Sequence, residues 1–536
     1  MPKRIKILAA FASVALLAAA CGSGGGGGGG NPSPTQGNSK ATGGQFSIAI
    51  GEPHNLFPPG NCYASECTSV INALWAGLVG MKNDKLVYRV AKSITSSDST
   101  HWDIKLNKGY TFHNGDPVTA DAFIRAWNHT AYGPNAQSTS GFFTTFKGYS
   151  AMQGKHPKAK TLSGLTKVNN DEFKVTLNQP FSQFPYMLLY TPAFAGVTQT
   201  CLQSISKCNE KPIGDGPYEM SGSWQHNQQI VVTRDRSYKG PNAGHANQIT
   251  YKIYTNIATA FRDWQAGNLD IEAPEPSQVP QAKQAAGNQQ IEANTSDFTY
   301  IGLPGYLGYL KNPKIRHALS LAINRKLLIT KLLSGLGTPA QSVVSPIVPG
   351  GGGDHCDYCT YNPQRAKKLV KEAGGLPKTI TIWVNSGAGN DQWVEAVGNM
   401  WKQTFGVNYT IKSLQFPPYL DTLGKHKGTG PYRLGWIMDY PSMVDYLKPI
   451  YLTDAPENYA GYSNPSFDAL IKKGSSEPSN QAAIKDYTKA ENLLLKDMPI
   501  IPVYYGKAFY IYSKHVSNVK FDALYRIPVW DVTVNQ

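Results

Sequence analysis

One stretch of the chain decides where the rest of it has to fold. Ile7 to Ala20 is an Ala- and Leu-rich apolar run of 14 residues behind Lys3, Arg4 and Lys6, and no later stretch of the 536 residues approaches membrane-spanning length. Such a run is too short to cross about 30 Å of hydrocarbon, whereas a basic head before it is the pattern of a secretory signal. Residues 1–20 are therefore expected to be an export signal, and everything after them must fold in water. With 41% hydrophobic residues the body can bury a large core. At about 100–200 residues per domain, the length predicts two to four domains, which excludes a disordered chain, a disulfide-only miniprotein and a collagen-like fibre.

The end of the signal, Leu17-Ala18-Ala19-Ala20-Cys21-Gly22, resembles a bacterial lipobox, in which small residues precede a Cys that is lipid-modified after cleavage. The alternative is cleavage by the ordinary peptidase with Cys21 left free. Gly24 to Gly30 is a run of seven glycines, and Pro, Ser, Asn and Thr continue to Gly44, so residues 21–44 can bury no apolar surface. They are expected to hold the body on the order of 25 Å from a membrane anchored through Cys21, or else to be a plain flexible tail.

The formal charge is +15, of which the signal contributes three. A basic exported surface favours anionic headgroups or wall polymers, and the cations are spread without a Lys/Arg block or an aromatic RNA-binding motif, so no nucleic acid is expected. Six cysteines besides Cys21 fall as three local pairs: Cys62 with Cys67, Cys201 with Cys208, Cys356 with Cys359. In an oxidising compartment these predict three loop disulfides. Cys356-Asp357-Tyr358-Cys359 has two alternatives, a redox CxxC or, with His355, the start of a metal site. The first lacks its βαβ context and the second a fourth ligand, so neither a metal nor a cofactor is expected.

Along the body, strand-like and helix-like segments alternate, which predicts a mixed α/β class. Trp102, Ile104 and Leu106 alternate with polar residues, Asn107-Lys108-Gly109 turns, and Tyr110 and Phe112 resume, which predicts a hairpin. A helix follows, with Thr119 at its N-cap, Asp121 in the first turn and Ala122, Phe123, Ala126 and Trp127 as its apolar face. Asn312-Pro313, Asn362-Pro363 and Asn464-Pro465 each read as a cap plus first-turn proline. After Pro313, residues Ile315, Ala318, Leu319, Ala322 and Ile323 predict a packed surface helix with Lys314, Arg316, Arg325 and Lys326 turned away from the core. Strands are expected at 173–177 and 379–384. There is no internal repeat and no second low-complexity linker, so any lobes are closely joined.

An enzyme should show a chemical constellation. No G-x-S-x-G elbow, no phosphate loop and no H-E-x-x-H is present. A secreted hydrolase assembled from distant positions stays open as an alternative, but the expectation is a protein that binds without reacting.

Eight segments in order resemble one family, the large extracytoplasmic solute-binding proteins of ABC importers, peptide/nickel-binding group. They are Leu74 to Leu78, Gly109 to Asp121, Pro212 to Tyr218, Ala266 to Asp270, Asn312 to Arg325, Tyr361 to Gly374, Gly435 to Pro441, and Pro499 to Tyr505. The resemblance spans nearly all of residues 45–536. It implies a two-lobed type II periplasmic-binding-protein fold: lobe I from 45–296 plus 504–536 with an inserted subdomain at about 68–190, lobe II from 297–503, and a hinge of two crossing strands. It further implies capture of an oligopeptide or dipeptide between the lobes and delivery to ABC permease subunits, by a lipid-anchored monomer on the extracytoplasmic face of the membrane. Receptors of the same fold for nickel chelates, haem or oligosaccharides, and peptide-signal sensors, are the alternatives. By the same resemblance Asp439 pairs with a ligand α-amino group, Trp436 covers a side chain, and Gly435 and Ile437 supply backbone groups. A strand-like clasp reads peptide backbone without regard to sequence, and a carboxylate in a closed cleft selects an amine. Where the family carries a second Asp-Pro, Ser442-Met443 stands here, and the next acid is Asp445.

Overall fold

The structure, a computed structural model, describes residues 43–535 apart from 58, 59, 63, 83, 84, 354, 355, 387, 388 and 523. The export signal, Cys21 and the tether expected over 1–42 lie outside the described residues.

Among the described residues eleven strands form the main sheet. In chain order they are β1 (Gln45–Ile50), β2 (Tyr218–Met220), β3 (Gln229–Arg234), β4 (Gln248–Ile253), β5 (Ile271–Glu272), β6 (Gln290–Gly302), β7 (Gly337–Pro339), β8 (Thr379–Asn385), β9 (Asn408–Leu414), β10 (Tyr432–Trp436) and β11 (Ile500–Tyr512). Their order across the sheet is β9-β8-β10-β6-β11-β5-β1-β4-β3-β2, with β7 beside β11. Parallel pairs (β1 with β4, β8 with β9) and antiparallel ones (β6 with β11) share it, so the sheet is mixed. The two 13-residue strands β6 and β11 stand in the middle. Strands from residues 45–272 lie on one side of them and strands from 379–436 on the other. Their pairing loses register between Asn294 and Phe298 and again between Thr299 and Tyr300. Positions 296/297 and 503/504 fall beside this irregularity.

Between β1 and β2 the chain builds a second sheet in the order Ala91–Thr95, His101–Leu106, Glu172–Thr176, Leu165–Asn169. The helix Ala120–Ala131 covers it with Ala122, Phe123, Ala126 and Trp127 buried, as the apolar spacing predicts. Trp127 anchors an aromatic core, its ring 5.4 Å from Phe173 and 5.5 Å from Phe194. The hairpin expected at 102–112 does not form. Strand His101–Leu106 is already paired on both edges, by Ala91–Thr95 and Glu172–Thr176, and Tyr110 to Val118 closes its own loop through a Thr111–Pro117 bridge.

The Asn-Pro starts behave as read. Asn312, Asn362 and Asn464 each accept from a first-turn amide, at 3.0 Å from Lys314, 2.9 Å from Arg365 and 3.0 Å from Ser466. The run after Pro313 breaks into two helices, Pro313–Leu321 and Arg325–Leu332, the second capped by Asn324. That break turns Arg325 inward. Instead of facing away from the core it is 3% exposed, with its guanidinium bonded to backbone carbonyls.

Several of the ordered sequence segments meet as scaffold. Gly216 N–H donates to Leu74 O at 2.8 Å, Asp215 accepts from Ala76 N–H at 3.2 Å, and His113 N–H donates to Gly214 O at 2.9 Å. A Cβ on Gly214 would stand 1.8 Å from Leu74 O, so only glycine fits there.

Candidate ligand-binding site

β10 pairs antiparallel with β6, Phe298 opposite Trp436 and Gly302 opposite Tyr432, and meets β8 only at Trp383 and Tyr432. Trp383 N–H donates to Pro431 O at 2.8 Å, and the Tyr419 hydroxyl donates to Arg433 O at 2.6 Å. The odd-numbered residues therefore turn their backbone groups away from β6. By the same alternation the Gly435 amide and carbonyl face that outer edge, where no described strand pairs with them.

Past Trp436 the chain leaves the sheet. Ile437 is 63% exposed, and Met438 N–H donates to Ser296 Oγ at 3.2 Å. Asp439 N–H donates to Asp445 Oδ2 at 3.0 Å. Asp445 stands in the first turn of the helix Val444–Tyr451, where the unpaired amides favour negative charge. Its Oδ2 also accepts from Trp436 Nε1 at 3.2 Å. The carbonyl of Ser296 takes the Tyr446 hydroxyl at 2.6 Å. Ser296 lies in the stretch where β6 and β11 lose register, so the loop that carries Asp439 is docked on that irregularity.

The electrostatics of this corner oppose those of the whole chain. Burial pushes the Asp439 carboxyl up to about 7, with Arg526 opposing and Glu457 adding to the shift. Asp445, 2% exposed, is driven well above the usual carboxylate range, by burial first and the Asp439 charge second. Asp297 and Glu457 are raised by burial too, Arg433 opposing at Asp297. Among the described residues neither Asp439 nor Asp445 has a cation within salt-bridge distance. A protein of formal charge +15 thus gathers carboxyls where its strand edge opens.

The facing wall comes from residues before β2. The Tyr190 hydroxyl senses the charges of both Asp439 and Arg526 and donates to Cys62 O at 3.5 Å, which brings the Cys62–Cys67 loop to the site. Phe181 meets Tyr440 edge-on at 6.5 Å, Ser182 N–H donates to Ser475 O at 3.2 Å, and the Tyr487 hydroxyl donates to Gln183 Oε1 at 3.3 Å. Two cavities of about 390 and 430 Å³ lie alongside, sharing Thr453 and Asp454; Lys448 lines the first, Tyr459 the second, and Asp439 neither.

Of the residues singled out in the sequence, Trp436 is half-buried with its indole N–H committed to Asp445, Asp439 is half-buried, Gly435 lies on the outward edge, and Ile437 points into solvent. The residue that sequence reasoning missed is Asp445. Its signal was only that it is the first acid after the absent Asp-Pro. The six remaining cysteines form three bonds, Cys62–Cys67, Cys201–Cys208 and Cys356–Cys359. Tyr358, inside the last loop, stacks 3.6 Å from the His317 ring, with the Arg365 guanidinium 4.7 Å from the Tyr358 ring centroid. His355 lies outside the described residues, and the described residues hold no cluster of three metal-ligating side chains.

Comparison with known proteins settles the family. Residues 85–458 match the bacterial extracellular solute-binding proteins, family 5. The chain belongs to that family. This is the peptide/nickel group of ABC-importer receptors that the ordered motifs resemble. The periplasmic oligopeptide-binding protein OppA of Salmonella typhimurium is 27% identical over 434 residues, 78% of each chain, and OppA of Bacillus subtilis 24% over 488 residues, 87% of this chain and 88% of that one. The murein tripeptide binding protein MppA of Escherichia coli superposes with a TM-score of 0.78 at 21% identity, covering 91% of this chain and 98% of that one. OppA of Haemophilus influenzae, in complex with RPPGFSPFR, gives 0.76 at 21% identity over 93% and 99%. The fold of this family-5 protein is therefore the type II periplasmic-binding-protein fold, with the mixed sheet described above.

Proposed function

We propose that this family-5 protein captures short peptides by their free amino end and hands them to an ABC permease, tethered outside the cytoplasm through a lipid on Cys21. One observation carries the peptide reading: two desolvated carboxyls, Asp439 and Asp445, without a cationic partner among the described residues, stand beside the outward backbone edge of Gly435. Charge-starved carboxylates favour an ammonium, and an unpaired strand edge favours an extended backbone; a peptide N-terminus offers both. The relatives named above for oligopeptide binding support the same solute class.

The chain divides into lobe I, 45–296 plus 504–536, and lobe II, 297–503, with β6 and β11 as the crossing strands. Closure is a hinge motion at their register break, and the closed form is what the permease reads. The protein works as a monomer, binds without turnover and needs no metal.

Calorimetry of residues 43–536 with trialanine and with N-acetyl-trialanine tests the reading. Binding of the free peptide, lost on acetylation, is the expected result. Equal affinity for both removes the amine from recognition, and recovery of a tightly held non-peptide compound from the purified protein replaces the solute class.

A further inference from the structure

Asp445 is spent in an unusual way. A single oxygen, Oδ2, accepts from the Trp436 indole at 3.2 Å and from the Asp439 backbone amide at 3.0 Å, and the residue is 2% exposed. The first bond reaches nine residues back to the end of β10, the second six residues back into the irregular loop. No regular secondary structure joins the two, and among the described residues Asp445 is the side chain that bonds both the indole and the Asp439 main chain. Its position in the first helical turn fixes the carboxylate from behind.

We propose that Asp445 is the positioning residue of the amine subsite, holding the aromatic cover Trp436 and the counter-charge Asp439 in one rigid frame and coupling their geometry to the charge of the subsite. This rests on the amine-binding reading above and adds a residue to it. The coupling arises because the two carboxyls repel one another across a desolvated gap, so the pair gives up its last proton only when a cation arrives. The charged and titratable groups facing the pair are Arg526 from the C-terminal segment, Glu457 from the loop after the Val444–Tyr451 helix, and the hydroxyls of Tyr190, Tyr440 and Tyr446. Arg526 alone among them favours ionisation. A ligand ammonium supplies a second cation, and binding should therefore release a proton near neutral pH.

Asp445→Leu and Asp445→Asn separate the two parts of the proposal. The leucine removes the acceptor and should weaken trialanine binding by about tenfold or more, since it strands two donors. The asparagine keeps an acceptor oxygen and should recover most of that loss, while flattening the fall in affinity that wild type shows from about pH 8 down to pH 5.5. A merely structural role would not change the pH profile. Superimposable profiles for wild type and Asp445→Asn, or full affinity in Asp445→Leu, overturn the proposal. A ligand-free readout keeps it decidable should peptides not bind at all. In the protein labelled with ¹⁵N at tryptophan, the Trp436 indole resonance, assigned by its loss in Trp436→Phe, should titrate near neutral pH and stop titrating in Asp445→Asn. An indole resonance that titrates identically in both proteins refutes the frame, whereas failure of trialanine to bind, with the indole behaving as expected, refutes only the peptide reading.

Discussion

Arg325 and the Asp439–Asp445 pair are both charged groups stripped of water, and they have been treated in opposite ways. Burial lowers the Arg325 guanidinium to about 9, yet its donors are met by the carbonyls of Pro502 at 2.7 Å, Ser320 at 3.2 Å and Cys359 at 2.7 Å, and by Ser320 Oγ at 2.8 Å. Asp445 accepts two N–H groups on one oxygen, one of them the Asp439 backbone amide, and neither aspartate has an ion pair among the described residues. A buried charge with a complete shell locks a fold together, whereas one with an incomplete shell costs stability until something completes it. The first belongs to the scaffold, and the second is where the proposed function places the ligand ammonium.

The largest effect expected from this contrast is on the complete shell. Arg325→Met takes the guanidinium from the buried carbonyls of Pro502 and Cys359 and from Ser320 Oγ, and should lower unfolding free energy by about 4 kcal/mol in a denaturant titration, with peptide affinity of the folded fraction unchanged. A stable Arg325→Met protein would erase the distinction. Asp439→Ala should do the reverse. Affinity for trialanine should fall by about 2–5 kcal/mol, while the denaturation midpoint stays level or rises because a desolvated carboxyl is gone. The wild-type pair also predicts a pH trend. With Asp439 raised to about 7, the folded state holds protons that the unfolded chain releases near pH 4, so stability should fall as pH climbs from about 4 to 7, and less so in Asp439→Ala.

Next in size is the loop that feeds Arg325. Cys359 O is one of its acceptors, and the Cys356–Cys359 bond fixes that loop. Replacing both cysteines with serine should cost about 2 kcal/mol on the loop-entropy argument. In the Arg325→Met background the cost should shrink, because the loop has then lost the cation it serves. Additive losses measured in the double-variant cycle would show that loop and guanidinium act independently.

What could be read beforehand divides along the same line. Patterns set by neighbours in sequence were legible: Asn312, Asn362 and Asn464 cap their helices because cap chemistry acts within three residues, and the apolar face of Ala120–Ala131 follows from its spacing. The family was legible too, because its segments keep their order. The hairpin at 102–112 failed because strand pairing is decided by partners at 91–95 and 172–176 that no local pattern names. Arg325 was misplaced because helical spacing was carried past Leu321, where the helix ends. Asp445 was overlooked as a candidate site residue because the role proposed for it comes from bonds across an irregular loop, which leave no period in the sequence.

The smallest effect concerns a third desolvated charge, which tests whether the contrast holds for cations. Lys448 lines the 390 Å³ cavity and has the Phe181 ring 5.5 Å away, but no carboxylate contributes to its titration, and burial lowers its ammonium to about 8. It resembles the aspartates in having no ion pair among the described residues, and Arg325 only in sign. Because its folded value lies below the unfolded one near 10.4, the charged form costs stability at neutral pH, and that cost disappears as pH rises from about 8 to 10. Wild-type unfolding free energy should gain over that interval relative to Lys448→Met. At pH 7 the methionine variant should be the more stable by about 1 kcal/mol, the loss of the ring contact offsetting part of the gain. If Lys448→Met is instead destabilised and the pH dependence of the two proteins coincides, Lys448 has a completed shell after all, and an incomplete set of partners ceases to mark a site in this fold.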